Sequence, residues 1–136
     1  MASLSKRKLD SIDVELQWYR TIDNRIYSRR QELIHNKKRG YGDHVKGKGN
    51  KANNPTENTI IRLEEDVTLK YLEGFKLLVE TLMNELIDTD LIILKMRFLK
   101  EGATWDDVAF ELNKSTRDIN KRRKIIAEKF IELKGY

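Results

Sequence analysis

Apolar residues recur at intervals of three and four through almost all of this 136-residue sequence, a spacing that lines one side of an α-helix. Leu9, Ile12, Leu16, Tyr19, Ile22, Ile26 and Leu33 form a first row, with Arg, Asp and Glu between them, and predict one long helix over residues 1–35. A second row, Ile60, Val67, Tyr71, Phe75, Leu78, Leu82 and Leu86, opens behind Pro55 and Thr56 and predicts another over 56–87, with Gly74 as its weak point. Each would span about 25 to 30 residues, roughly 40 Å, and a matched pair predicts an antiparallel hairpin. The first row slips near Asp23 and Arg30, which argues against a long independent coiled coil. Between the rows apolar residues nearly vanish, and four of the seven glycines stand among lysines and asparagines, so 36–55 reads as a flexible basic loop.

The last third, 88–136, has a shorter rhythm. Asp88 and Asp90 can cap a helix over Leu91 to Lys100 that turns Leu94 and Phe98 inward and stops at Glu101 and Gly102. Thr104 precedes Trp105, Asp106 and Asp107. Its hydroxyl can accept from the first exposed amides of a helix, and the carboxylates favour that helix's positive end. Val108, Ala109 and Leu112 share one side until Asn113 and Lys114 break the pattern, and Ser115 offers a second cap. In the following helix Ile119, Ile126, Phe130 and Leu133 face inward, with Thr116, Arg117, Asn120, Lys121 and Lys124 opposite them. The expected fold is all-α: a long antiparallel helical hairpin followed by a C-terminal tri-helical helix-turn-helix module.

This tri-helical unit resembles region 4 of bacterial sigma factors, in which a segment like Ile93-Leu94-Lys95-Met96-Arg97-Phe98 precedes a helix-turn-helix. Ala109 fits the small residue kept where the two helices cross, and Trp105, Val108, Leu112 and Ile119 fit the apolar positions. Asn113 stands where glycine is usual, a substitution that asparagine's tolerance of left-handed conformations permits. Lys114 replaces an apolar turn residue. The order of elements along the whole chain is similar to the phage late-gene activators of the RinA and ArpU type. That resemblance implies a sequence-specific, DNA-binding transcriptional activator working in the host cytoplasm, with RNA polymerase or a second copy of the chain as further candidate partners.

Charge agrees with a nucleic-acid partner in its placement more than in its sum. The net charge is +5. Residues 36–55 carry six Lys or Arg against one Asp, 56–90 three against nine acidic residues, and 91–136 eleven against seven. An acidic middle helix would be repelled by phosphates, which leaves the terminal module and the loop lysines Lys37, Lys38, Lys46, Lys48 and Lys51 as candidate contacts. On the second helix of the motif the expected DNA-binding residues are Thr116, Arg117, Asn120, Lys121, Arg123 and Lys124. Arg117 and Asn120 have the chemistry to read guanine and adenine, whereas Lys121 and Lys124 suit phosphates. Arg122 lies between the two faces, where its stem can cover the core. Trp105 is expected to anchor the small core rather than to stack on bases.

No cysteine is present, which excludes disulfides and thiolate metal sites. His35 and His44 lack partners at ligand spacing, so neither a metal nor another cofactor is expected. No phosphate-binding glycine loop or catalytic set of Ser, His and Asp stands out, and no enzymatic activity is expected. No stretch has the length of a membrane span, and a cytoplasmic protein is expected. The competing readings are a DNA-packaging factor similar to a small terminase subunit, and a helical scaffold that binds only protein.

Overall fold

The computed structural model describes residues 4–35, 57–99 and 103–135. Every regular element among them is helical, so the protein is all-α. The order is α1 (Lys6–Gln17), a 3-10 turn (Trp18–Thr21), α2 (Ile22–His35), α3 (Glu57–Glu65), α4 (Val67–Glu85), α5 (Asp88–Leu94), a π-turn (Lys95–Leu99), α6 (Trp105–Leu112) and α7 (Thr116–Lys134). The loop expected over 36–55, its five lysines and His44 lie outside the described residues, as do Thr56, Lys100, Glu101 and Gly102.

The chain forms two compact units, Met1–Thr21 with Phe75–Tyr136, and Ile22–Gly74. This division departs from the boundaries expected at 35, 55 and 87. The physical reason lies in α1, which packs against the π-turn and α7 and so joins the first unit.

In the first unit α1 begins at Ser5, whose Oγ accepts from the Lys8 amide at 3.1 Å. Leu9, Ile12 and Leu16 are buried, as are Ile93, Leu94, Phe98, Val108, Ile126 and Phe130. The core is thus built from both ends of the chain. The 3-10 turn ties in through polar and aromatic contacts: Arg20 Nε donates to the Phe98 carbonyl at 3.1 Å, Tyr19 donates to Glu80 at 3.1 Å, and Trp18 meets Phe75 edge-on.

The second unit pairs α2 with α3 and the start of α4. Arg29 clasps Asp66 through Nε and Nη2 at 3.0 and 2.7 Å, Arg30 pairs with Glu73, and Arg62 reaches the Leu33 carbonyl. Contacts that step down α2 while stepping up the partner strand of helix mark an antiparallel pair. Its buried residues among those described are Ile22, Thr59 and Leu69.

Each long helix expected from the sequence is interrupted. At Asp66 the carboxylate accepts from the Leu69 amide at 2.8 Å and caps α4, so α3 and α4 are separate helices. The break re-phases the apolar row. Ile60, Val67 and Tyr71, expected inward, are 45%, 79% and 55% exposed, while Thr59 and Leu69 take the buried places. Asp88 and Asp90 were expected as caps. The cap position is Ile87, which makes no side-chain hydrogen bond, and Asp90 is buried within the first turn of α5.

Among the described residues no helix is long and apolar enough to cross a membrane.

Candidate nucleic-acid interface

The turn between α6 and α7 is fixed at both sides by hydrogen bonds that the local sequence supplies. Thr104 Oγ1 accepts from the Asp107 amide and the Asp107 carboxylate accepts in turn from the Thr104 amide, both at 3.1 Å, closing a capping box. At the other end of α6, Asn113 adopts φ 55° and ψ 46°, the left-handed conformation. Its amide donates to the Phe110 carbonyl at 3.1 Å and that of Lys114 to Ala109 at 3.0 Å, the two bonds of a Schellman ending. Lys114 occupies the place where such an ending usually adds an apolar contact, and it is exposed. Ser115 Oγ then accepts from the Asp118 amide at 3.1 Å and starts α7.

With the turn held in this way, α7 buries Ile119, Ile126, Ala127 and Phe130 and exposes Thr116, Arg117, Asn120, Lys121 and Lys124. Arg117, Asn120, Lys121 and Lys124 follow at intervals of three, one and three, so they lie along one face. None of them has a side-chain partner among the described residues. Five of the six residues expected on the free face are therefore there, side by side.

Arg123 is not. Its side chain is only 14% exposed, with Nη2 3.0 Å from Asp10 Oδ1 and 2.7 Å from Asp13 Oδ2. The guanidinium also lies 5.1 Å from the centre of the Trp105 ring. At 100° per residue, the position after Arg122 turns towards α1, whose Asp10 and Asp13 stand one turn apart and meet it. Arg123 is thus a tie between the two ends of the chain rather than part of the exposed face.

Asp13 is the hub of that tie. It is buried, accepts from Trp105 Nε1 at 3.0 Å and from Arg123, and lies 4.0 Å from Arg97. Arg97 lies over both Phe98 and Trp105, at 5.1 and 5.3 Å from their ring centres. Burial lowers the Arg97 pKa from its usual value and the Asp13 charge works against that. The Nε atoms of Arg97 and Arg123 are buried without a hydrogen-bond partner among the described residues, and the aromatic faces beneath the two guanidiniums offset part of that loss. Trp105 accordingly acts as the core anchor its position suggests, in edge contact with Phe98 at 5.6 Å.

Arg122 is also engaged. It grips Asp90 through Nε and Nη2 at 2.7 and 2.8 Å, and the hydrogen bonds to Asp90 raise its pKa further. At the end of α7, Lys134 meets Glu15 of α1 at 2.9 Å. The cations of α7 therefore divide: Arg122, Arg123 and Lys134 hold the fold, Arg117, Lys121 and Lys124 remain available on the exposed face, and the half-buried Lys129 lies off that face without a side-chain partner among the described residues.

The model of the family described as "Protein of unknown function (DUF722)" matches residues 8–132, nearly the whole chain, from α1 through α7. The chain belongs to that family. The matched span includes α1 as well as α6 and α7, which belong to the same compact unit. No curated protein and no solved structure matches the chain. Among the described residues no group of His, Cys, Asp or Glu is arranged to hold a metal ion.

Proposed function

We propose that this protein is a sequence-specific DNA-binding regulator of transcription whose α7 enters the major groove. The observation that carries the reading is the row Arg117, Asn120, Lys121 and Lys124. These side chains are exposed and share one face, and they have no partner among the described residues, whereas neighbouring cations on the same helix are consumed in ion pairs. A purely structural charged helix gives no reason for that division. In this reading Arg117 pairs with a guanine and Asn120 with an adenine, Lys121 and Lys124 hold phosphates, and Thr116 touches the backbone at the helix start.

The similarity to sigma region 4 and to the RinA and ArpU activators extends the proposal to activation of phage late genes, with RNA polymerase as the protein partner. The second unit supports a protein contact of some kind, because Tyr27, Ile60, Ile61, Val67 and Tyr71 are exposed there against a minimal core.

The test is a titration of the full chain against DNA from upstream of its own gene and against a random duplex of equal length. Selective binding is expected. Arg117→Ala and Asn120→Ala should each lose roughly 1 to 3 kcal/mol of discrimination, and Lys124→Ala should weaken both duplexes alike. Equal losses on the two duplexes for Arg117→Ala would remove its base-reading role, and no binding to either would remove the proposal.

A further inference from the structure

A groove of about 360 Å³ lies beside the exposed face of α7, lined by Ile87, Thr89, Lys114, Asp118, Lys121, Arg122 and Ile125. We infer that it seats one sugar-phosphate unit of the DNA backbone, held by Lys114 and Lys121. The inference rests on the DNA-binding reading and adds to it a second wall, from the α4–α5 junction, and a contact residue in the turn.

Charge limits the occupant first. The groove carries Lys114, Lys121 and Arg122 against Asp118, and the buried Asp90 already neutralises Arg122. Three positive groups against two negative ones leave a single positive charge, which one phosphodiester cancels. Lys114 and Lys121 have no partner among the described residues, so their ammonium groups are free to donate to non-bridging oxygens. Shape and polarity agree. A lone ion would leave most of this volume empty, and Ile87 and Ile125 offer apolar walls that suit the C–H faces of deoxyribose, with the Thr89 hydroxyl as a further donor. Ile87 is 59% exposed, a poor state for an isoleucine unless something covers it. Position is the third argument. Lys121 belongs to both the groove and the exposed row, so a strand followed by α7 in a major groove passes this opening.

The feature also accounts for the lysine at 114. An apolar side chain there would close the Schellman ending of α6, and a lysine forgoes that contact. A phosphate opposite it gives the exposed ammonium a function.

The experiment uses the full chain, wild type and Lys114→Ala, with its upstream duplex and a random duplex over a several-fold range of salt. Lys114→Ala should bind both duplexes roughly 3- to 10-fold more weakly, and the slope of log K against log salt should fall by about 1. The same pair is then measured on duplexes carrying a single neutral methylphosphonate at successive positions. Wild type should lose affinity at one phosphate to which Lys114→Ala is indifferent, the signature of a direct pair. Ile87→Asp, which places a carboxylate on the sugar-facing wall, should weaken both duplexes more than Lys114→Ala does. Wild-type binding with an unchanged slope in Lys114→Ala, or losses that simply add at every phosphate, would overturn the groove while leaving the DNA reading intact. Wild type that binds neither duplex would overturn both.

Discussion

The two units carry similar amphipathic spacing and bury it to very different extents. In the first, elements from both ends of the chain enclose Leu16, Ile93, Leu94, Phe98, Val108 and Phe130, and the polar ties at Asp13 and Asp90 are themselves covered. In the second, the buried residues among those described are Ile22, Thr59 and Leu69, and arginine-carboxylate pairs link α2 to Asp66 and Glu73, with Val67 and Tyr71 left outside. A row of apolar residues at helical spacing establishes a helix but not a core. Burial depends on how many other elements arrive to cover the row, and a pair of helices supplies too few.

The strongest way to break this contrast is to truncate one apolar side chain in each unit. Phe98→Ala should cost about 3 to 5 kcal/mol in urea unfolding, whereas Val67→Ala should stay within about 0.5 kcal/mol. A comparable loss at Val67 would mean that its face is covered in solution. Next in size is Asp13→Asn, which leaves Arg97 and Arg123 largely buried without their shared carboxylate. A loss of about 2 to 3 kcal/mol is expected, after discounting for the solvent that still reaches both guanidiniums, together with a shift in Trp105 fluorescence. An unaltered spectrum would show that the indole does not depend on Asp13.

Asp66 probes the second unit. Replacing it with Ala removes the cap of α4 and the partner of Arg29, for an expected loss of about 1 to 2 kcal/mol. Its pH dependence has a definite sign. The Arg29 hydrogen bonds lower the Asp66 pKa in the folded state, so its contribution is complete above the unfolded carboxylate range near about 4 and is lost as pH falls through the lower folded value. Asp66→Asn should therefore flatten the acid limb of the stability curve measured by circular dichroism. A limb as steep as that of wild type would assign the acid sensitivity to other carboxylates. The smallest effect expected is a gain. Gly74 is exposed within α4, and a methyl group there would meet nothing within 4 Å among the described residues. Gly74→Ala should stabilise by about 0.5 to 1 kcal/mol, seen as a raised Tm.

What could be read from the sequence was local. The caps at Thr104 and Ser115, the left-handed turn at Asn113 and the inward row of α7 rest on interactions within a few residues, and each is present. Five residues of the exposed face follow from that row by rotation alone. Arg123 did not, because its direction is decided by Asp10 and Asp13, more than a hundred positions away, and one basic residue in a run of four looks like another. Asp90 was misread, and the cap at Asp66 passed over, for a related reason. An aspartate at a helix start can cap, pair or do both, and the arginine that selects among these roles lies 37 positions from Asp66 and 32 from Asp90. Lys114 could be seen as a departure from the turn pattern. The groove that gives it a use needed Ile87 and Thr89 to be brought beside it by the fold.

The ties between α1 and α7 also bear on when the protein can fold. Arg123 meets Asp13 across 110 positions and Lys134 meets Glu15 across 119. At roughly 5 to 20 residues per second, a ribosome releases α7 on the order of 10 s after α1. Through that interval Leu9, Ile12 and Leu16 have no finished core to enter, and Asp10, Asp13 and Glu15 have no cation from α7. The basic helix completes the packing of the unit in the same step that it takes up its own orientation.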